Sequence, residues 1–549
     1  MVFTIHRYIF RELIRVFVLA TVALTFMLSL GSMLKPIQEV GVSPQQAIHL
    51  LGYLLPITLT VVLPMSALFS AALVYGRFAS DNELSACKAS GISLMTLVYP
   101  GLCLAVAVAI TNLILSFYVV PAFVMRAEKS VQGNAKQIVF RNIQRKGYYE
   151  MPGKSGKQFL IYADHAFPES DTLNGVVVLE SKGGEITRQI FAKTAKIIIE
   201  TDSKYTQVTA IAKDTYQLDK NDDPQYAESL SVMHRFPPML SDNIKFQKID
   251  RLKEIRADMS KFTPVREKIL AARVQLAAEA LAEDITKKLA RPNAGFYQLV
   301  SQDKILRIYS PGCKAHPDNK ITFQPPIELL EYDRFSRLLS LTWTSDDEAE
   351  LAFVSNQPDS ELGLVLTNAL WKGEGDFKLT VPLLRKVFPD ITLPPEISNK
   401  LNYKKTGKRS LIDTIATINN PDEEDPIITG KPSGTLINLK QKADYEIWVT
   451  SKKILSEVHT RLVFGIGSIT LILFAVALGI VFKGGHLLSA FGASAIPAGA
   501  LIVFIMSGNE LTKTKNTAMP ESTGIIVMWS GLVALSIIAF LVYRKLTRT

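Results

Sequence analysis

Hydrophobic residues are concentrated at the two ends of this chain, whereas the charged residues lie mainly between Arg126 and Arg461. A helix needs about 20 apolar residues to cross the hydrocarbon core of a bilayer. Six stretches approach or exceed that length without one Asp, Glu, Lys or Arg, and these are Val16–Leu34, Leu50–Gly76, Ala89–Met125, Leu462–Phe482, Leu487–Asn509 and Ser522–Tyr543. The pattern predicts an α-helical membrane protein with six transmembrane helices, three at each end, and a large domain between the third and fourth.

The middle of the chain alternates apolar and polar residues, which is typical of β-strands. The first strand-like runs are Phe159–Ala163, Gly175–Glu180, Gln189–Glu200 and Tyr205–Ala212. They follow one another without a helical segment between them, which favours an antiparallel sandwich or jelly roll over a βαβ sheet. We therefore predict a β-sandwich or jelly-roll domain over residues 126–255.

A helical segment and a second group of strands follow this domain. Residues Asp250–Leu289 have a strongly helical composition in their second half, and Pro264 is expected to break the helix. Strands are predicted again at Phe296–Val300, Ile305–Tyr309, Ile321–Phe323, Leu362–Thr367 and Phe377–Val381, and a further helix is predicted at Ala443–His459. The expected divisions are a membrane block (1–125), the β domain (126–255), a helical insertion (256–294), a second β-rich region with a linker (295–440) and a second membrane block (441–549).

Basic residues set the expected orientation. The formal net charge is +10, but the lysines and arginines form no block mixed with aromatic residues, so we expect no nucleic-acid partner. Cytoplasmic loops of membrane proteins carry the excess of Lys and Arg. If the spans alternate, one side of the membrane receives Arg7, Arg11, Arg15, Arg77, Lys88, Lys483, Arg544, Lys545 and Arg548. Both termini are therefore predicted to be cytoplasmic, and the middle domain is predicted to face outward.

The sequence contains no motif for catalysis, a cofactor or a metal site. The pair Gly407-Lys408 lacks the upstream glycine of a Walker A motif, so we expect no ATP hydrolysis in this chain. The cysteines, Cys87, Cys103 and Cys313, are too scattered for a zinc site or a disulfide framework. The apolar stretches also lack the buried charges that ion-driven carriers use. The sequence is therefore compatible with a passive function or with transport that a partner protein powers.

The loop between the second and third spans has the pattern of a short cytoplasmic helix. Ser80 and Glu83 have the spacing of a capping box, and Gly91 is expected to end the helix. ABC transporters use such a helix to transmit force from a separate nucleotide-binding subunit. On local grounds alone, Glu83 has the alternative role of satisfying a backbone N–H group.

This loop reads Gly76-Arg77, then Asn82-Glu83-Leu84, then Ala89-Ser90-Gly91. Further matching features are Arg7-Tyr8 and Arg11-Glu12 before span one, Ser29-Leu30-Gly31 and Leu34-Lys35 at its end, and Pro56 and Pro64 in span two. With the layout of three spans, β domain and three spans, these residues resemble the lipopolysaccharide-export permeases of the LptF/LptG type. Asn82 departs from the serine that this family often has before the glutamate. The resemblance covers roughly residues 1–255 and 443–549.

The resemblance implies a permease subunit of an ABC transporter, one that extracts lipopolysaccharide or a related glycolipid from the inner membrane of a Gram-negative cell. The lipid would pass to a periplasmic bridge that leads toward the outer membrane. ATP hydrolysis would take place in a cytoplasmic ABC ATPase of the LptB type. The other implied partners are a second permease of the same family, in a homo- or heterodimer, and bridge proteins of the LptC/LptA type.

The resemblance also implies two sites. The residues expected to contact the ATPase lie in the loop 77–90 and are Arg77, Ser80, Asp81, Glu83, Leu84 and Lys88. Spans one and five of paired permeases would form a lateral gate, for which the candidates here are Phe26, Leu30, Leu34 and Lys35. The Lys35 ammonium would meet headgroup phosphates there. Its alternative role is that of a lysine that only extends its amine to the membrane interface.

Two other functions stay open on the sequence alone. The first is another lipid- or lipoprotein-extracting ABC permease, although lipoprotein extractors and macrolide pumps carry their large outer domain after span one. The second is a membrane-anchored periplasmic scaffold or sensor that transports nothing and binds no ATPase.

Overall fold

A computed structural model describes most of the chain. The described residues are 2–35, 44–133, 135–152, 157–182, 184–201, 206–219, 225–236, 242–290, 295–301, 304–317, 319–354, 361–373, 380–404, 407–418, 426–482, 487–514, 520 and 522–548. The chain divides into two compact units. Unit 1 comprises Met1–Lys253 with Lys452–Thr549, and unit 2 comprises Glu254–Ser451.

The helices are α1 (Val2–Lys35), α2 (Pro44–Ser80), α3 (Glu83–Ala89), α4 (Leu94–Ile114), α5 (Val120–Gly133), α6 (Ala135–Lys146), α7 (Ile249–Ala257), α8 (Thr263–Leu289), α9 (Pro395–Asn402), α10 (Leu411–Ala416), α11 (Gly434–Val481), α12 (Leu487–Lys513) and α13 (Thr523–Arg548). A π-helical turn, Leu115–Val119, joins α4 to α5 without a break. Within the described residues, six helical stretches are long and apolar enough to cross a membrane, and they lie in α1, α2, α4–α5, α11, α12 and α13. The six predicted spans are thus present as helices.

Two predicted helix boundaries were wrong. Ala89 belongs to α3, and the third span begins only at Leu94, because Gly91 ends one helix and Ser93 caps the next. The fourth span is the end of a 48-residue helix that begins at Gly434, not at Ala443. A criterion of apolar length detects only the part of such a helix that lipid would surround.

Close packing of small residues joins α2 to α11. Ala72 and Gly76 are one turn apart on α2, and Ala475 and Gly479 have the same spacing on α11. A Cβ atom on Gly479 would lie 2.9 Å from the Ala72 carbonyl oxygen and 3.0 Å from the Gly76 nitrogen. Small residues at this spacing let membrane helices approach until their backbones touch.

The described part of unit 1 also contains a six-stranded antiparallel sheet. Its strands are β1 (Tyr148–Pro152), β2 (Lys157–Phe167), β3 (Thr172–Lys182), β4 (Glu185–Thr201), β5 (Thr206–Asp219) and β6 (Gln225–Phe236). The four strands predicted here fall within β2–β5, apart from Tyr205, which lies outside the described residues. Neighbouring strands are also consecutive along the chain. The jelly-roll topology is therefore not confirmed, since a jelly roll has Greek-key crossovers.

Helix α6 covers one face of this sheet. Val139, Phe140 and Ile143 of α6 are buried against Leu173 and Val176 of β3. Alanines at the facing positions of β2, β4 and β5 let the helix lie close to the strands. The helix and this face of the sheet therefore form one small apolar core.

Unit 2 contains nine strands in a second sheet, β7 (Tyr297–Ser301), β8 (Lys304–Tyr309), β9 (Cys313–Ala315), β10 (Lys320–Phe323), β11 (Ile327–Asp333), β12 (Leu338–Thr344), β13 (Ala349–Phe353), β14 (Leu362–Gly373) and β15 (Val381–Thr392). A short hairpin adds β16 (Tyr403–Lys404) and β17 (Gly407–Lys408). Because β14 pairs with both β12 and β15, the path β14–β12–β11–β8–β7–β15 returns to β14. These six strands therefore close into a barrel.

Helix α8 of unit 2 is largely buried. It begins at Thr263, with Pro264 in its first turn, where a missing N–H group costs no hydrogen bond. Two buried polar residues fix it in place. Arg273 donates to the Asn402 side chain at 2.6 Å, and Gln275 donates to the His316 carbonyl oxygen at 3.1 Å.

Candidate functional site

The loop predicted to contact the ATPase, residues 77–90 and here called the coupling loop, does not start as the sequence predicts. Helix α2 continues through Ser80, whose hydroxyl group donates to the Arg77 carbonyl oxygen at 2.9 Å. The predicted capping box of Ser80 and Glu83 was therefore wrong. Ser80 is the last residue of α2 and not the N-cap of the next helix, and its hydroxyl group bonds to a carbonyl oxygen of the preceding turn. Asn82 occupies the N-cap position of α3, with φ of 60° and no capping hydrogen bond from its side chain. Asparagine tolerates this left-handed conformation better than most residues.

The predicted stop at Gly91 is confirmed. Gly91 has φ of 81°. The Gly91 N–H donates to the Lys88 carbonyl oxygen at 3.0 Å, and the Ile92 N–H donates to the Cys87 carbonyl oxygen at 3.1 Å. This is a Schellman motif, which a glycine in the left-handed region permits. Ser93 then accepts from the Thr96 N–H and opens α4. The loop is thus a short helix with a hydrogen-bonded turn on its C-terminal side that leads directly into α4.

Helix α3 has one buried anchor and an exposed outer surface. Leu84 is 3% exposed and belongs to the same apolar cluster as Ile9 and Leu13 of α1 and Phe78 of α2. The exposed residues around it are Asp81, Asn82, Glu83, Ala86 and Lys88. The buried leucine fixes the helix, and the acidic N-terminal end faces outward.

Arg77 is held by the first helix of the chain. Its Nη2 atom lies 3.1 Å from Oε1 of Glu12, and Arg15 lies 3.6 Å from the other oxygen of the same carboxylate. The start of α1 is also fastened to the start of α4, where Nε2 of His6 lies 2.7 Å from the Thr96 carbonyl oxygen. The N-terminal turns of α1 therefore brace the coupling loop.

The candidate gate residues lie along α1. Phe26 is 66% exposed and continues an apolar stripe with Val18 and Val22, one turn apart. Lys35 is the last residue of α1, and the side chains of Leu30, Leu34 and Lys35 lie outside the described part of the structure. Helix α12 has its own exposed apolar residues, Ile496, Val503 and Met506.

The uncovered face of the first sheet carries an aromatic row. Directly paired positions on β1 to β6 are occupied by Tyr148, Tyr162, Val177, Phe191, Tyr216 and Tyr226. The five aromatic side chains are each between 36% and 57% exposed. They lie on the opposite face from the buried residues that α6 covers, since side chains alternate along a strand. We define these six residues as the aromatic row.

Arg461 is a functional candidate that the sequence reasoning missed. It is 5% exposed and lies in α11, where its Nε donates to Glu457 at 3.0 Å. Its Nη atoms donate to the carbonyl oxygens of Ser116, Lys245 and Gln247 at 3.1, 2.8 and 3.2 Å. An arginine at the edge of an apolar stretch, with a glutamate four residues before it, was the available signal. The guanidinium joins the fourth span, the third span and the segment after the first sheet.

Among the described residues, His, Cys, Asp and Glu form no group of three or more that could hold a metal ion. The sites consist of helix ends, apolar stripes and one buried arginine. Such an arrangement can transmit movement and contact lipid.

The chain was also compared with known protein families. The chain matches the family described as lipopolysaccharide export system permease LptF/LptG over residues 7–296, which is more than half of its length. A search of curated proteins found no match. The matched region runs from α1 through the coupling loop and the first sheet to the end of α8.

Proposed function

The chain belongs to the LptF/LptG family of lipopolysaccharide export permeases, and from this membership we propose that it is the permease subunit of an ABC transporter. In this role it extracts lipopolysaccharide, or a related glycolipid, from the inner membrane and passes it to a periplasmic bridge. It is a multi-pass membrane protein and a transporter component. ATP is hydrolysed by a separate cytoplasmic subunit.

The observation that carries this proposal is the construction of α3. A seven-residue helix between two spans is anchored by Leu84 and presents Glu83 outward. An exposed rigid helix on a membrane domain suits a groove on an ATPase, because a rigid element transmits displacement to the spans on both sides of it. Glu83 and Asp81 supply negative charge at its start, and Lys88 supplies positive charge near its end.

The proposed orientation rests on the basic residues. Arg7, Arg11 and Arg15 at the start of α1 are exposed, as are Arg544, Lys545 and Arg548 at the end of α13. Excess lysine and arginine marks the cytoplasmic side. Both termini and α3 are then cytoplasmic, and the six-stranded sheet is periplasmic. Lys483, which the sequence argument also used, lies outside the described residues.

The lipid path begins at a gate between this chain and a second permease of the same family. The exposed apolar stripes of α1 and α12 support this step, because each can pack against a neighbour or an acyl chain. Phe26, Leu30, Leu34 and Lys35 line the gate in this proposal, and the Lys35 ammonium pairs with headgroup phosphate. Beyond the gate, the aromatic row offers acyl chains an apolar surface away from the membrane, as the inner face of a jelly roll would, and leads to the bridge.

The test is purification of the full-length chain from its native membranes in mild detergent. Mass spectrometry of the complex should identify an ABC ATPase, a second permease and a bound phosphorylated glycolipid, and the complex should hydrolyse ATP faster when that lipid is added. A chain that purifies without any ATPase would contradict the transport function and favour a periplasmic scaffold.

A further inference from the structure

A cavity of about 790 Å³ lies at one end of the barrel of unit 2. All six barrel strands line it, with Ser301 from β7, Lys304 from β8, Glu331 from β11, Ser340 from β12, Trp371 from β14 and Lys386 from β15. Barrel mouths are common ligand sites. This one lies beyond residue 296, where the family match ends. We refer to this cavity as the barrel mouth.

The floor of the barrel mouth is a charged cluster. Glu331 is 6% exposed and accepts from Nζ of Lys304 at 2.5 Å and from the Ser340 hydroxyl at 2.8 Å. Nζ of Lys386 lies 3.6 Å from its second oxygen. Burial by itself raises the pKa of Glu331, but these partners outweigh it, and the pKa is lowered. The carboxylate is therefore charged and fully engaged.

Lys386 is the unusual member of this cluster. Its side chain is only 18% exposed, its amine donates to the Thr342 hydroxyl at 3.0 Å, and the Phe388 ring lies 4.7 Å away. Burial lowers the pKa of Lys386, Glu331 acts in the opposite direction, and the nearby Lys304 adds to the lowering. Two ammonium groups thus share the Glu331 carboxylate, with the Lys386 amine mostly buried and the Lys304 side chain half-exposed.

The rim of the barrel mouth is apolar. Val381 and Val387 of β15 are 39% and 49% exposed, and Leu383 lies between them on the same strand. Trp371 forms a further wall, with its ring 5.6 Å from the Lys386 amine. Asp390 also lines the rim. This lining suits a ligand with a negative group at one end and an apolar chain at the other, if the negative group lies at Lys304 and Lys386 and away from the Asp390 carboxylate.

We propose that the barrel mouth binds an amphiphile with a phosphate head and an apolar chain. The head lies against Lys304 and Lys386, and the chain runs along Trp371, Leu383 and Val387. Charge-assisted hydrogen bonds from the two lysines replace the water that the phosphate loses. This site does not depend on the proposed export function, because it uses only residues of the barrel.

The test uses the full-length chain in dodecyl maltoside micelles, which contain no phosphate, and an alkyl phosphate with a photoreactive diazirine in its alkyl chain. Mass spectrometry of the labelled protein should place saturable labelling on β15 between Val381 and Phe388. Octyl phosphate should compete for this labelling, whereas inorganic phosphate and the neutral octyl glucoside should not. If inorganic phosphate competes as well as octyl phosphate, the alkyl chain has no role in binding. If octyl glucoside competes, the phosphate head has no role in binding.

Three variants locate the head. Lys386→Met keeps most of the side-chain volume and should weaken competition by octyl phosphate by about tenfold, the loss expected for one charged hydrogen bond. Lys304→Gln removes the charge of a half-exposed residue and should weaken competition several-fold. Lys372→Met is the matched control, because Lys372 follows Trp371 on β14 but is exposed and does not line the cavity. Unchanged competition in both Lys386→Met and Lys304→Gln would refute the proposal.

Discussion

The Arg461 guanidinium donates to the carbonyl oxygen of Ser116 across 3.1 Å, although 345 positions separate the two residues in the sequence. Ser116 lies in the π-helical turn of the third span, and Arg461 lies at the start of the apolar part of α11. A π-helical turn displaces the backbone pairing by one residue, and such turns are frequent at functional sites. The same guanidinium also holds Lys245 and Gln247, which follow the first sheet. Movement of either span is thus linked to the segment that leaves the sheet.

Removal of this guanidinium should destabilise unit 1. Arg461→Met leaves Glu457 without its ion pair and three carbonyl oxygens without this donor, which we expect to cost about 3 kcal/mol or more. Thermal unfolding of the detergent-solubilised protein, monitored by size-exclusion chromatography, should show a clear decrease in the midpoint temperature of unfolding. Arg544→Met changes an exposed arginine at the end of α13 and should leave the midpoint unchanged. Equal midpoints for both variants would contradict the linkage.

The contact between α2 and α11 makes a second prediction possible. Gly479→Ala places a Cβ atom against backbone atoms of Ala72 and Gly76, which cannot rotate away, so a loss of about 1–3 kcal/mol is expected. Gly499→Ala in α12 meets nothing within 4 Å and should be neutral or slightly stabilising. The measurement is the thermal midpoint of each variant in the same detergent. A Gly479→Ala protein as stable as Gly499→Ala would show that the helices can separate there without loss.

The sequence was sufficient for the spans and for most strands of the first sheet, because long apolar runs and strict alternation are local signals. It was insufficient for β15, whose residues Pro382 and Pro389 indicate breaks rather than a strand. The reason is the position of β15 in the barrel. Among the described residues it pairs with β14 along its length but with β7 only at Ile391 and Thr392. A strand with one unpaired edge accommodates proline, and that edge depends on the tertiary fold.

The coupling loop shows the same limit at a smaller scale. Its end was predictable, because the left-handed conformation at Gly91 has a strong residue preference. Its start was not predictable from the sequence. Ser80 and Glu83 have the spacing of a capping box wherever α2 ends, but Ser80 can cap the next helix only if α2 ends before it. Arg461 was missed for a similar reason, since its carbonyl partners come from two distant segments.

Acid should weaken unit 2 through Glu283. Burial by itself raises the pKa of Glu283, but hydrogen bonds from Lys287, from the Thr429 hydroxyl and from the N–H groups of Thr429 and Gly430 lower it to about 2. A carboxyl group with a lowered pKa stabilises the folded state above its ordinary pKa near 4.5, and this contribution is lost as the pH falls from about 4.5 to about 2.

Hydrogen exchange of the full-length chain, corrected for intrinsic rates, should therefore show α8 and residues 426–433 opening more often at pH 3.5 than at pH 6. Glu283→Gln should remove most of this difference, because it removes the titrating group. Glu348→Gln, at an exposed position of the same unit, is the matched control and should retain it. A pH dependence that survives in Glu283→Gln would assign the effect to another group.

The aromatic row should contact lipid during export. A photoreactive phenylalanine analogue at Phe191 or Tyr216 replaces an exposed ring on the uncovered face of the sheet, so the fold should tolerate it. In membranes that contain the complete transporter, ultraviolet light should yield lipid adducts at both positions only when ATP is present. The same analogue at the exposed Glu169, in the turn between β2 and β3, should yield few adducts. Equal capture at all three positions would show that lipid contact is unspecific.

The structure removes the capping role that the sequence left open for Glu83, so variants of Glu83 can test its proposed role in coupling. The Ser80 hydroxyl bonds to Arg77 and Asp81, and the Asn82 side chain makes no capping bond, so the pairing that would have given Glu83 a capping role is not formed. What remains locally is the interaction of its charge with the start of a short helix, worth about 0.3–1 kcal/mol. The anchor Leu84 is unaffected by a change at Glu83. Variants of Glu83 should therefore fold and reach the membrane in normal amounts.

We expect Glu83→Gln to weaken binding of the partner ATPase by roughly two- to fivefold, the range measured for exposed ion pairs. Glu83→Lys should weaken it by on the order of tenfold or more, because it sets like charges against each other at the same contact. Binding is measured by titration of the purified ATPase against the chain in nanodiscs, and coupling is measured as the ATP hydrolysed per lipid released. Glu169→Lys makes the same change of charge at an exposed residue in the turn between β2 and β3 and should behave as the unaltered chain. Normal binding and normal coupling in both Glu83→Gln and Glu83→Lys would leave α3 as a connector between two spans.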